Sequence, residues 1–257
     1  VSLSDIDLER RFGGLQRLYG ETGYRRLRSL RVAVVGLGGV GSWAAEALAR
    51  SGVAALTLID LDHVSESNIN RQVQALGSTV GMAKPQALRE RIADIHPGCE
   101  VQVVEEFVEP DNWPALLRTP VDAVIDACDQ SKAKLAMAGW ALQAPVAYIA
   151  AGAAGGKRLP QRVEVADLAD ASHDPLLASL RQRLRKQGAA RSGRIGLRCV
   201  FSRETVQAPA GADACDVDGS LNCHGYGSSV SVTATFGLVA ASDVVEQCLR
   251  QTAKKIA

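Results

Sequence analysis

The chain has 257 residues, long enough to enclose one sizeable hydrophobic core. With 47% apolar residues, 22% charged residues and a formal net charge of +1, it is neither a disordered chain nor a globally charged binder. VSLSDIDLERRFGG has no basic stretch ahead of an apolar one, so no secretory signal is expected there. The six cysteines (Cys99, Cys128, Cys199, Cys215, Cys223, Cys248) are scattered without a C-x-x-C pair. They are expected to be reduced thiols of a cytoplasmic protein, not zinc ligands.

Leu8 to Leu30 reads as an Arg-rich helix broken at Gly13-Gly14. The apolar run Val32 to Val35, bounded by glycines, predicts a buried strand. An Ala-rich helix follows from Ser42 to Ser51, then a strand from Leu56 to Asp60. Asp62 to Gly81 is polar and lacks period, which predicts a loop. A helix from Lys84 to Ile95 stops at Pro97-Gly98. Strands are expected at Val101–Glu105, Val121–Asp126 and Val146–Ala150, with a helix at Lys132–Gln143 between the last two. Beyond Gly156 the pattern changes to a basic helix, Asp174–Gln187, a short strand near Leu197–Phe201, and a Gly/Ala/Asp-rich loop from Glu204 to Gly227. The stretch Gly225 to Val245 is apolar but holds Ser, Thr and Asp243, so it predicts a buried or interface helix and no membrane span. Trp43 and Trp140 are expected in the core, and His63 and His96 in ordinary loops.

Alternating strands and helices predict an α/β fold. The sheet is expected to be Rossmann-like, mostly parallel and flanked by helices, with a C-terminal extension containing the basic helix. The expected organisation is one domain over residues 1–257. Residues 1–155 form the nucleotide-binding core, and 156–257 form a basic, substrate-facing, dimer-supporting part. Ligands of such sheets lie beyond the carboxyl ends of the strands.

The chemistry-bearing residues sit at those ends. Gly36, Gly38 and Gly41 fit G-x-G-x-x-G between a strand and a helix, with an extra glycine at Gly39. That is a phosphate-approach loop. Asp60 ends the next strand, where a carboxylate takes ribose hydroxyls. Alone, these features fit NAD and an oxidoreductase. The loop that follows carries Asp62, Asn68 and Arg71, with Lys84 beyond, and a cationic set suits a triphosphate better. Arg71 and Lys84 can hold β- and γ-phosphates and stabilise departing pyrophosphate. Asp129, in DACDQ, is positioned to hold Mg²⁺.

GLGGVG, LTLIDLDHVSESNINRQ, GMAKPQ and DACDQ resemble the ATP-binding motifs of the ubiquitin-activating/MoeB/ThiF superfamily over residues 8 to 155. That resemblance implies ATP as cofactor, ribose binding by Asp60, and phosphate contacts from Asp62, Asn68, Arg71 and Lys84. It also implies Mg²⁺ at Asp129 and a homodimer. The superfamily's R-Y-x-R-Q element, whose second Arg reaches the partner subunit's ATP, appears here as RFGGLQR. Gly14 stands in place of that Arg, with Arg11 and Arg17 as possible substitutes.

HDPLLASLRQRLRKQG, LRCVFSRE and SVTATFGLVAAS, with no zinc cysteine pairs, resemble the tRNA threonylcarbamoyladenosine dehydratase branch of that superfamily. The implied activity is ATP-dependent cyclisation of the threonylcarbamoyl side chain on tRNA through an acyl-adenylate. A cysteine desulfurase and its sulfur acceptor are implied as partners. Adenylation of a carrier protein's C-terminal glycine is the alternative, and an RNA-binding scaffold leaves the ATP residues unexplained. The split of ATP to AMP or ADP stays open. Arg181, Arg183, Arg185, Lys186, Arg191, Arg194, Arg198 and Arg203 form a basic stretch, of which Arg181, Arg185, Arg191 and Arg194 are the candidate RNA contacts. Cys223-His224 could pair a nucleophile with a base, but an intramolecular cyclisation needs no enzyme nucleophile, so a bystander role is expected. Cys128 is expected to pack in the core.

Overall fold

A computed structural model describes residues 7–207 and 226–256. Its elements in chain order are α1 (Leu8–Phe12), α2 (Gly14–Ser29), β1 (Arg31–Val35), α3 (Gly41–Arg50), β2 (Ala55–Ile59) and α4 (Lys84–Ile95). There follow β3 (Glu100–Val104), β4 (Ala123–Asp126), α5 (Ser131–Ala141), β5 (Ala147–Ala151), β6 (Val163–Asp167), α6 (Pro175–Lys186), β7 (Arg198–Ser202) and α7 (Val230–Ile256). Seven strands form one sheet in the order β3-β2-β1-β4-β5-β7-β6. All neighbours are parallel except β6 with β7. Strands from before and after residue 156 thus share a single sheet.

β6 is absent from the sequence-based expectation. VEVAD is short, half-buried and flanked by polar loops, so its strand character comes from pairing with β7. The loop predicted at Asp62–Gly81 contains a 3-10 turn, Glu66–Asn68. Cys215, Cys223, His224 and most of the loop predicted at Glu204–Gly227 lie outside the described residues.

Both faces of the sheet are covered, which explains the continuous apolar strands. α2, α3, α4 and α7 cover one face, and α5 and α6 cover the other. α7 buries Val232, Phe236, Ala240, Val244 and Cys248, a fully enclosed i, i+4 stripe. Val230–Gln251 is long and apolar enough to cross a membrane, but half of it is buried inside the fold. At Gly237 an added Cβ would overlap the Val40 carbonyl oxygen and approach the Ala44 nitrogen to 2.8 Å. A glycine is therefore what lets α7 cross α3 at close range.

His96 is not an ordinary loop residue. It caps α4, is 2% exposed, and stacks edge-on against Phe12 with ring centroids 4.7 Å apart. Its Nε2 faces Arg28 Nη1 at 3.1 Å, and Arg28 also donates to the Gly52 carbonyl and covers the Phe12 ring. The α1–α2 segment docks through this cluster. Burial, with Arg28 and Arg11 nearby, pulls the His96 pKa from 6.5 down to about 4. The unfolded chain takes up the proton first, so this site loses stability as pH falls from 6.5 towards 4. His96→Gln cannot titrate. Wild type is expected to lose thermal stability relative to that variant as pH drops through this window. A Tm difference independent of pH would contradict the assignment.

Candidate nucleotide site

The parallel register brings three loops together. Val35 pairs with Ile59 on one side and with Asp126 on the other, so the chain leaves all three strands at the same level. β1 is also where successive connections turn to opposite sides, the position at which such sheets bind ligands.

Each glycine has its own reason. Gly36 has φ 81°, which L side chains rarely adopt, and an added Cβ would lie 2.8–2.9 Å from the Ala127 and Cys128 backbone. At Gly41 it would overlap the Gly36 carbonyl oxygen. At Gly39 it would press to 3.0 Å on the Thr233 methyl of α7 and 3.3 Å on Arg71 Cγ. Gly38 meets nothing within 4 Å and faces open space. Three glycines close-pack the turn, and the fourth leaves room for a ligand.

Gly36, Gly38, Gly39, Asp60, Asp62, Asn68, Arg71, Lys84 and Asp129 all line one cavity of about 470 Å³, well sized for a nucleotide. Gly41 sits behind it at the start of α3. Asp60 is 8% exposed and accepts from Leu37 N at 2.6 Å and Asp62 N at 2.8 Å. Burial raises its pKa, opposed by Lys84 and by these N–H groups. The carboxylate braces the glycine loop against the next one while keeping lone pairs for hydroxyl donors.

Lys84 Nζ, 6% exposed, reaches Asp62 Oδ2 at 2.7 Å. Arg71 Nη1 donates to Ser67 O at 2.7 Å and Asn70 Oδ1 at 3.0 Å, and its Nε is buried without a partner. Asn68 is buried, with Oδ1 accepting from Ser65 N at 3.1 Å. Trp43, expected in the core, is half-buried and donates to Arg71 O at 3.0 Å, so it supports the arginine. His63 also lines the cavity.

A buried ionic chain behind the site has no signal in the sequence reading. Lys134 and Asp126 are both fully buried and pair at 2.8 Å. Tyr148 OH donates to Asp126 Oδ2 at 2.7 Å, and Cys128 N donates to Oδ1 at 3.2 Å. Burial would lower the Lys134 pKa, but the Asp126 carboxylate outweighs it and the net direction is up. Asp174 caps α6 through Leu177 N at 3.0 Å and accepts from Ala153 N at 2.8 Å. Buried Lys157 lies 4.0 Å from Asp174 and donates to Ser202 O at 3.0 Å. Glu204 accepts from Arg158 N and Leu159 N, both at 2.8 Å. These groups fasten the loops after β4 and β5, which carry the cavity wall, to the loop after β7. Cys128 lines that wall, and burial together with Asp126 raises its pKa well above the ordinary value, so it stays a thiol.

Asp129 is exposed at the cavity wall. No cluster of three metal-ligating side chains occurs among the described residues. A single exposed carboxylate suits Mg²⁺, which keeps several waters and needs only one or two protein carboxylates. Gly14 is exposed at the start of α2. Arg11 donates to Asp94 O and Ile95 O at 2.8 and 2.7 Å, closing the end of α4, whereas Arg17 is exposed.

The tRNA threonylcarbamoyladenosine dehydratase of Escherichia coli (strain K12) is 40% identical over 99% of both chains. Two solved structures of the E. coli tRNA N6-threonylcarbamoyladenosine dehydratase TcdA, in complex with ATP and with AMP, each superpose with a TM-score of 0.87. They are 40% and 41% identical, with 99% of each chain covered. The ThiF family pattern matches residues 10–256. On that near-complete match, joined to a glycine turn with Arg71 and Lys84 in one cavity, the chain belongs to the ThiF family.

Proposed function

We infer that the protein is an ATP-dependent tRNA threonylcarbamoyladenosine dehydratase. The observation that carries this is the convergence of the open glycine turn, Asp60, Arg71, Lys84 and Asp129 on one cavity, in a chain 40% identical over its length to such an enzyme.

The threonyl carboxylate of the modified adenosine attacks the α-phosphate of ATP, and pyrophosphate leaves. The neighbouring carbamoyl nitrogen or oxygen then attacks the acyl carbon, gives up its proton, and AMP departs. The net change is loss of one water. The relative's complexes with ATP and with AMP fit the substrate and product of this route. Both reacting groups belong to the substrate, so the protein contributes positioning and charge stabilisation. Gly38 leaves space for phosphates, Asp60 takes the ribose, and Asn68 and Asp62 border the triphosphate. Lys84 exchanges Asp62 for phosphate oxygens, and Arg71 faces the leaving pyrophosphate. Asp129 would hold Mg²⁺, which neutralises phosphate charge. In a homodimer, Arg17 is the arginine available to reach the partner's nucleotide, because Arg11 is engaged at α4. A tRNA substrate makes the cytoplasm the working compartment.

Mass spectrometry of nucleosides from threonylcarbamoylated tRNA, incubated with enzyme and ATP, tests the reading. Cyclised nucleoside should appear with ATP and not without it, and its absence would refute the assignment. Lys84→Ala and Arg71→Ala should each lower turnover by about 10²–10³-fold. Asp62 is 54% exposed and buried Asp60 keeps the N–H donors of Leu37 and Asp62, so the fold should survive loss of Lys84. Near-wild-type turnover would remove these residues from the chemistry. The two glycines should separate: Gly38→Ala should keep the wild-type Tm and raise the KM for ATP, whereas Gly41→Ala should lower the Tm by displacing the Gly36 carbonyl. Equal effects on Tm would contradict the roles given to them.

A further inference from the structure

α6 starts at the cavity and leads away from it. Leu176, in its first turn, lines the cavity. Its neighbours Pro175 and Ala178 line an adjoining groove of about 340 Å³ together with Ser172, His173 and Thr205. Leu177, Leu180 and Leu184 seat the helix on the sheet, and Ala178, Gln182, Arg183 and Lys186 face outward. At 1.5 Å per residue, Arg183 and Lys186 lie about 10 and 15 Å along the axis from Leu176.

Between Pro175 and Arg203 the chain carries eight Arg or Lys residues and no Asp or Glu. The structure sorts them. Arg181 donates to Leu168 O at 3.1 Å and Ala171 O at 2.7 Å, which ties α6 to the loop before it. Arg198 binds Asp243, Arg203 pairs with Glu164, and Arg194 reaches Asp167 at 3.7 Å. Arg185 is half-buried, with its Nε enclosed and unpartnered. Arg183, Lys186 and Arg191 are exposed and form no ion pair with any described carboxylate. Of the four candidate contacts read from the sequence, Arg191 alone is fully exposed and without a carboxylate partner. Helical spacing groups Arg181 with Arg185, but cannot reveal that the Leu168 and Ala171 carbonyls take up the first.

The groove carries a second mark. His173 is the one non-glycine residue with positive φ, 56°, among the described residues. Its carbonyl accepts from buried Lys157 at 3.3 Å, its Nδ1 lies 3.0 Å from Ser172 Oγ, and the residue is exposed. The fold thus holds a strained, exposed residue in the lining of the groove.

We propose that this groove and the outward side of α6 carry the RNA strand flanking the reacting adenosine, with phosphates over Arg183, Lys186 and Arg191 and a neighbouring base against His173. The proposal rests on tRNA being the substrate. Phosphate contacts supply much of nucleic-acid affinity, and bases from single-stranded loops stack on aromatic rings, histidine included. A segment with no Asp or Glu over 29 consecutive residues, whose Arg183, Lys186 and Arg191 stay exposed beside the groove, is complementary to such a strand.

The test uses the full chain with the triple variant Arg183→Glu, Lys186→Glu, Arg191→Glu. The KM for threonylcarbamoylated tRNA should rise at least about 10-fold, and the slope of log KM against log salt should fall by about 2–3. Turnover at saturating tRNA and the Kd for ATP should not change. His173→Gly removes the ring and relieves the backbone, so it should raise the tRNA KM several-fold without lowering the Tm. Arg89→Glu, an exposed site on α4 across the sheet, should leave the tRNA KM alone. A wild-type KM and salt slope in the triple variant would overturn the proposal, as would an equal rise from Arg89→Glu. An unchanged KM in His173→Gly would remove the base contact. If the functional reading were wrong instead, the unmodified enzyme would yield no cyclised nucleoside, while filter binding of tRNA to the same variants would still report on this surface.

Discussion

The tight backbone contact at the turn from β1 into α3 is the constraint on which the site depends. Gly36 lies against the Ala127–Cys128 backbone, and Gly41 lies against the Gly36 carbonyl, with no room for a Cβ at either place. That approach sets the distance between the glycine loop and the loop after β4, and so the width of the cavity. Asp60 sets the other side, because its carboxylate binds the N–H groups of Leu37 and Asp62 together. α7 closes the turn from a third direction through Thr233 against Gly39. The ligand loop is thereby rigid on three sides and open at Gly38.

The buried charges beyond the strands have a different task. An ion pair such as Asp126–Lys134 adds little net stability, because desolvation offsets much of the attraction. Removing one partner is another matter, costing about 3–5 kcal/mol for a stranded buried charge. Such a pair therefore enforces one arrangement. Lys134 holds the DACDQ loop, Asp174 holds the turn after β5 to the start of α6, and Lys157 and Glu204 extend the arrangement to the loop after β7. The nucleotide side and the proposed RNA side are fixed relative to each other by one chain of alternating charges.

Much of this architecture is written in local pattern. The apolar runs that became β1, β2 and β5, and the helix Lys84–Ile95, stand within a residue or two of where periodicity and Gly or Pro punctuation put them. The loop residues that gather at the cavity are also legible, since a parallel sheet delivers every strand's carboxyl end to the same edge. What escapes local reading is tertiary. Lys134, in SKAKLAMAGWA, looks like a surface lysine until Asp126 arrives from β4. His96 follows a helix and looks like a loop residue until Phe12 and Arg28 fold over it. β6 owes its pairing to a strand over thirty residues downstream. The arginines of the C-terminal third look alike in one dimension, and only their carbonyl and carboxylate partners separate anchors from free charges.

The buttressing of the glycine loop by α7 has a consequence for biosynthesis. Thr233 and Arg71 lie 162 positions apart, yet both press on Gly39. A ribosome adding about 5–20 residues per second needs on the order of ten seconds to travel from one to the other. Throughout that interval β1, β2 and their loops are outside or leaving the exit tunnel, with the apolar side of α3 uncovered. The packing around the glycine turn is therefore complete only once α7 has been made. A truncated product lacking α7 would hold all seven strands but leave the apolar side of α3 exposed and the glycine turn without its Thr233 support.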